Sequence, residues 1–290
     1  MESGVGKACV KRRARARRRA AWASLFFVAC SLLLLLALPA FAQEAGKPVE
    51  YRAFPVIGSR LIVWAIAQIH LNFAAFILGV PIFAVIIEII GWRTRDQRYD
   101  WLAHEFVKLI FAAFSTTALL GAALLFIMIG YYPKVWNYMT GIFFPTYWVY
   151  VVLFFLETFT VYLWYYGWDW LSGGKKWIHV TLGVLSNLFG TAILFVANSW
   201  VTFMVSPGGV DEAGNLKSLW GAINNFTWMP INIHRLIANI VFGGTIAAAY
   251  AAFRFLSAKS DEERARYDWM GYVGNFVAVS GFIVLPFAGY

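Results

Sequence analysis

The sequence predicts an all-α fold: a polytopic membrane helical bundle of about six transmembrane helices following a signal peptide. Three observations predict it. The 290 residues are 61% hydrophobic, 19% aromatic and only 13% charged, more apolar surface than a soluble domain can cover. The apolar residues gather into six runs, each long enough to cross ~30 Å of hydrocarbon at ~1.5 Å per residue. The basic residues concentrate in alternate loops, as the positive-inside rule requires of a multi-span protein.

The amino terminus comes first. Eight of the 24 Lys and Arg, and only Glu2 of the 15 acids, fall within residues 1–42, leaving sixteen bases against fourteen acids beyond. The formal net charge of +9 is therefore a property of the leader, and nothing in the remainder points to nucleic acid. The basic cluster precedes the apolar run Trp22–Leu38 and the small-residue site Ala40-Phe41-Ala42, the layout of a secretory signal peptide at 1–42. Both cysteines, Cys9 and Cys30, lie inside it. The processed chain then has no thiol, disulfide, iron–sulfur ligand or site for covalent c-type haem.

A short periplasmic segment (43–56) leads to the membrane domain (57–290). The spans are expected at about 57–92, 104–132, 144–170, 177–205, 231–257 and 269–290, the first overlong. Cleavage leaves the new N-terminus outside, so the loops after spans one, three and five face the cytoplasm. They carry Arg93, Arg95 and Arg98; Lys175 and Lys176; and Arg254, Lys259, Arg264 and Arg266. The opposite loops hold only Lys134 and Lys217 as bases. Charge and signal peptide agree on a bacterial inner-membrane protein with a periplasmic mature N-terminus. No internal repeat or low-complexity segment interrupts it.

Against this apolar background a few polar residues stand out. His70 sits mid-span and His234 near the outer end of span five; a lipid-embedded imidazole serves as a metal or haem ligand, joins a proton path, or hydrogen-bonds a neighbouring helix. His104 and His179 begin spans at the inner boundary, where headgroup depth explains them. Glu157 is near the middle of span three, where a carboxylate costs ~2.5–3.5 kcal/mol to insert, so it is expected on a proton path or protonated within the bundle. Glu88 lies close enough to the inner boundary to snorkel. Arg60 and Arg235, toward the outer face, suit a haem propionate or a lipid phosphate. The aromatic side chains of span three, Tyr147 to Tyr166, can wall a macrocycle or pack lipid.

These residues occur in a recognisable order. Ser59-Arg60-Leu61 precedes His70, and Glu88 ends the span. Phe154-Phe155-Leu156-Glu157-Thr158 runs on to Gly167-Trp168-Asp169, then Ile193 to Trp200 with its Val196-Ala197-Asn198, then Pro207 and His234. In this series the chain resembles subunit I of the cytochrome bd-type quinol oxidases, over roughly residues 59–290 and that family's N-terminal half. The resemblance implies that His70 binds the iron of a haem of the oxygen-reactive high-spin pair, and His234 that of a low-spin haem b fed by quinol. It implies that Glu157 is the proton-path glutamate. The implied cofactor is haem b, one or two, with a d-type or a second b-type haem as the alternatives at His70.

Departures accompany the match. Val149 stands where the family has a second glutamate, and Phe126 and Ile127 occupy a stretch expected to carry another acid. The chain stops at Tyr290, about where the quinol-binding loop should begin, and before the helices that supply a methionine and a glutamate ligand. Met204 and Met229 are poorly placed to face His234. The expectation is a haem-bearing subunit of a respiratory quinol oxidoreductase. Its partners would be other membrane subunits that supply helices and second haem ligands, quinol, and periplasmic cytochromes. Half of a split terminal oxidase is the second reading, and a cofactor-free anchor for redox subunits the third. A proton or solute channel, motivated by Glu157 alone, comes last.

Overall fold

The computed structural model describes residues 51–289; the expected signal peptide and most of the segment after it lie outside the described residues. Among the described residues there are seven α-helices, six of them long and apolar enough to span a membrane. They are α1 (Ser59–Thr94), α2 (Gln97–Tyr131), α3 (Pro133–Tyr166), α4 (Lys176–Val205), the short α5 (Leu219–Ile223), α6 (Trp228–Leu256) and α7 (Asp261–Val284). Single turns of 3₁₀ helix precede α4 at Gly173–Lys175 and follow α7 at Leu285–Ala288. The six long helices match the six apolar runs. They exceed those runs where polar residues extend a first turn.

Each boundary has a local cause. Before α1, Ser59 is wholly buried, donating its hydroxyl to the Arg52 carbonyl at 2.6 Å while accepting from the Phe54 N–H at 2.7 Å. Arg95 then takes a left-handed conformation, φ 58°, which ends α1. The side chain of Asp96 caps α2 by accepting from the Arg98 N–H at 2.9 Å, satisfying one of the orphan donors of a helix start. Pro133 opens α3 at the position where a missing N–H costs nothing. Ser260 accepts from the Glu263 N–H at 3.2 Å. With Asp261, Glu262 and Glu263 in the first turn, α7 begins eight residues before its apolar run because acids complement the positive end of the helix dipole.

Helix α1 is the centre of the bundle and touches α2, α4 and α6; α3 packs on α4, and α6 on α7. Where α1 crosses α6 the backbones meet directly. A Cβ on Gly79 would fall on the Asn239 carbonyl, and one on Gly243 would lie 2.7 Å from the Gly79 carbonyl carbon. Small residues permit this closeness, which is how helices gain van der Waals contact in lipid, where apolar burial between helices gives no driving force. The same device joins α6 to α7 through Gly244 and Gly274.

The main core lies toward the end of the bundle that carries the basic loops. Val80, Phe83, Ala84, Leu102, Phe106, Ile110, Trp164, Ala247 and Met270 are buried there. A smaller cluster of Met139, Ile142, Phe143, Phe203 and Ala222 sits at the other end. There the loop after α4 folds over the bundle, tied by the Tyr138 hydroxyl to the Gly214 carbonyl (3.0 Å) and by Asn225 Nδ2 to Thr202 Oγ1 (2.9 Å).

Candidate functional site

The first half of α1 lacks the enclosure of its second half. Every buried residue of α1 except Ser59 lies between Ile77 and Gly91. Around His70, by contrast, Leu61, Trp64, Ile69 and Leu71 are exposed. His70 itself is half-buried. Its Nδ1 is buried and, among the described residues, finds no hydrogen-bond partner. Opposite it on α2 stands Gly121: a Cβ there would come within 3.1 Å of His70 Cε1, 3.7 Å of Nδ1 and 3.8 Å of Nε2. The ring therefore turns the edge between its two nitrogens toward a residue with no side chain. The backbone of Thr117 interacts with the ring, but Nδ1 stays unpaired within bonding geometry, which is costly and suits a further ligand or partner.

His234 repeats the pattern. It occupies the second turn of α6, half-buried, with a buried Nδ1 that no described group satisfies. The residue against it is Gly289, where a Cβ would stand 3.6 Å from that nitrogen, ordinary contact rather than overlap. Arg235 does not extend to a free anion: its Nη1 donates to Asn198 Oδ1 at 2.5 Å, and Asn198 Nδ2 donates to Asn232 Oδ1 at 2.6 Å. This buried polar bridge fixes the start of α6 on α4. Asn232 and Asn239 each keep one buried amide nitrogen without a partner among the described residues, so α6 carries three polar nitrogens that no described group satisfies. Arg60 is exposed at the head of α1.

Glu157 is 5% exposed, on the face of α3 that meets α4. Among the described residues no hydrogen bond reaches its carboxyl group, which rests against Gly190, where a Cβ would lie 2.7 Å from Oε1. A glycine thus faces each of the three, His70, His234 and Glu157, and composition gives no hint of it. The structure does not bring His70, His234 and Glu157 into one cluster. Among the described residues, no three His, Cys, Asp or Glu side chains converge as ligands for a bare metal ion.

Two expectations need correction. Glu88 does not snorkel, and headgroup depth alone does not account for His179: both are fully buried within the bundle and bonded to each other, His179 Nδ1 to Glu88 Oε1. Lys176 Nζ lies 2.9 Å from the same oxygen and 2.9 Å from Asp100 Oδ1. Trp164 Nε1 donates to Glu88 Oε2 at 2.9 Å, and His179 Nε2 meets the Trp164 carbonyl at 2.8 Å. His104 is half-buried and stacks flat on Trp168, 4.5 Å between ring centres, while Trp168 lies edge-on to His179 at 4.7 Å. Hydropathy places each residue at a depth but says nothing about which neighbour it faces. Glu88, His104 and His179, on three different helices, therefore read as separate boundary polars.

The sequence profile of the family described as cytochrome bd terminal oxidase subunit I matches residues 59–289. The chain belongs to that family. The fold agrees: the solved structure of bd oxidase from Geobacillus thermodenitrificans superposes with a TM-score of 0.70 at 17% identity, over 80% of this chain and 53% of that one. The chain spans about half the length of that solved relative. No curated protein sequence matches it. Membership establishes a multi-pass membrane protein of the cytochrome bd subunit I type, as the ordered motifs predict.

Proposed function

We propose that this chain is a haem b-binding membrane subunit of a respiratory quinol oxidoreductase, carrying electrons between the quinone pool and a haem centre or a periplasmic acceptor. The observation that carries it is the pair of orphaned imidazoles. His70 and His234 each hold a buried Nδ1 with no hydrogen-bond partner among the described residues, each faces a glycine, and the family to which the chain belongs is an oxidase family. A neutral imidazole nitrogen is a common axial ligand of haem iron. These donors fit the group, and haem iron at these positions would supply one-electron transfer. His70 and His234 would hold the irons, and Arg60, exposed at the outer end of α1, is placed for a propionate. Glu157, buried beside Gly190, would hold or pass a proton.

The open first half of α1 supports the expectation that other membrane subunits cover His70 and complete the coordination. Basic loops at one end favour the bacterial inner membrane with that end cytoplasmic, and residues 1–42 fit a cleaved signal. The test is a reduced-minus-oxidised spectrum of the purified complex. It should show b-type bands, and His70→Ala and His234→Ala should each remove a distinct part of them. Bands that are absent, or indifferent to both substitutions, defeat the proposal. Family membership favours a second reading, half of a split terminal oxidase, which requires oxygen uptake that depends on this chain and a high-spin b or d-type signal. Val149, where the family has a second glutamate, weighs against it.

A further inference from the structure

The buried cluster around Glu88 is the most expensive feature of the bundle, and neither histidine site uses it. A fully buried carboxylate, imidazole and ammonium in one core persist only when every proton and lone pair is matched. The match can be counted. His179 Nε2 faces the Trp164 carbonyl at 2.8 Å, which can only accept, so Nε2 carries a hydrogen. Glu88 Oε2 accepts from the Trp164 indole, and Oε1 faces Lys176 Nζ at 2.9 Å. The remaining contact joins His179 Nδ1 to Glu88 Oε1. A neutral imidazole with its hydrogen on Nε2 would set one lone pair against another there. Hence one further proton lies between the two, on Nδ1 or on Oε1.

That proton has a mouth on one side and a seam on the other. The mouth is Asp100, whose side chain is 45% exposed and which reaches Lys176 Nζ at 2.9 Å. The seam runs between α3 and α4. Buried Thr160 and Glu157 follow Trp164 up one wall, and buried Ser186 and then Gly190 follow His179 up the other. It ends where Glu157 rests against Gly190. Other titratable groups nearby are directed elsewhere. His104 of α2 stacks on Trp168, and on α6 Tyr250 bonds Glu105 while Arg254 bonds Tyr267.

We infer that Glu88 and His179 form a proton-holding site that fills through Asp100 and Lys176 from the basic-loop side and empties inward along the α3–α4 seam toward Glu157. Each passage balances. The shared proton leaves the pair inward, giving Glu88 carboxylate and neutral His179. The Lys176 ammonium breaks one N–H bond to refill them, and takes back a proton from Asp100, which has gained it from water. One proton crosses and every group returns to its starting state. Only the last leg, to Glu157, rests on the function proposed above.

The experiment uses the whole purified complex, reduced by a quinol analogue while a pH dye follows proton uptake and absorbance follows the haem. Glu88→Gln and His179→Gln should slow uptake at least tenfold and Asp100→Asn about threefold, with haem reduction within twofold of wild type. In His179→Gly, added imidazole should restore uptake, a rescue that lost packing alone does not give. Asp100→Asn keeps the inference exposed should the core variants fail to assemble, because its site is half in solvent. Unchanged uptake in Asp100→Asn, or uptake lost only in proportion to lost haem, overturns it. An infrared pH titration of the full haem-free chain in nanodiscs separates the two readings. A carboxyl band and an imidazolium band that change together, and vanish in Glu88→Gln, support the site even if no haem binds; independent bands refute it.

Discussion

Substituting Gly121 separates a haem-binding His70 from a merely packed one. A Cβ at this position lies 3.1 Å from His70 Cε1, inside the ~3.5–4.0 Å of a relaxed carbon–carbon contact, so alanine obliges the ring to yield by a few tenths of an ångström. Pushing an imidazole that far off its rotamer costs ~0.5–1.5 kcal/mol, and replacing a mid-helix glycine with alanine returns ~1 kcal/mol. Gly121→Ala should therefore leave the fold and the haem nearly unchanged. Leucine adds three more carbons beside both ring nitrogens, 3.7 and 3.8 Å from the Cβ. Overpacking of this size costs ~1–3 kcal/mol, and at ~1.4 kcal/mol per tenfold the affinity for a group at His70 falls roughly 10- to 100-fold. Haem per chain, from difference spectra of the purified complex, is the assay. Gly121→Leu should lose the bands that His70→Ala loses and keep those that depend on His234. Wild-type haem in Gly121→Leu, or equal loss of both sets of bands from a folded protein, would refute the assignment of His70.

Four further substitutions test other parts of the protein. At Gly79 an added Cβ would fall on the Asn239 carbonyl and lie 3.1 Å from the Gly243 nitrogen, so Gly79→Ala should force α1 from α6 and lower stability by about 2 kcal/mol. Gly141→Ala, with nothing within 4 Å of its Cβ, should be neutral or up to ~1 kcal/mol stabilising; thermal unfolding in detergent compares them. Lys176→Met leaves Glu88 buried with only His179 and Trp164, and losing one partner of a buried pair costs ~3–5 kcal/mol. Melting at the wild-type temperature would show that the lysine contributes nothing. In the loop after α4, Asp211 accepts from the Asn215 N–H at 2.8 Å and the Ala213 N–H at 3.1 Å. The Asn215 backbone bond, foremost, holds its carboxyl below the ordinary value of 3.8. Its contribution is thus complete above ~4 and lost as pH falls through the lowered folded value. The protection of the Asn215 amide, its exchange rate relative to the free-peptide rate at the same pH, should fall on acidification in wild type, and be low and insensitive to that step in Asp211→Ala.

Much of this was legible in the sequence. Apolar runs located all six long helices because a lipid-facing helix must be apolar around most of its circumference. They missed the starts of α2, α3 and α7 by seven, eleven and eight residues, since Asp96 and Ser260 cap turns that are themselves polar and Pro133 opens α3 ahead of Lys134 and Asn137. His70, His234 and Glu157 stood out because each is a polar residue inside an apolar run. The Glu88–His179–Lys176–Asp100 cluster did not. Its members lie near run ends, where depth alone explains them, and Glu88 and His179 are 91 residues apart. Depth along a helix is written in composition; direction around it is settled by packing.

That packing is unequal along the membrane normal, and the inequality orders the proposed chemistry. At the basic-loop end, core side chains from α1, α2, α3, α6 and α7 close around one another, and Glu88, His179 and Lys176 among them are paired with one another. Farther along α1 the enclosure stops. Around His70 large apolar side chains lie open, and the buried nitrogens of His70 and His234 have no partner among the described residues. Large apolar side chains are exposed at the basic-loop end as well, among them Ile86, Trp92 and Trp177, as lipid-facing helices require; what sets the other half apart is the pair of imidazole nitrogens. A macrocycle or an adjoining helix seated against His70 would give such a nitrogen its partner. The closed end would then insulate that half from the basic-loop side, with a proton-holding pair as the polar link across the insulation.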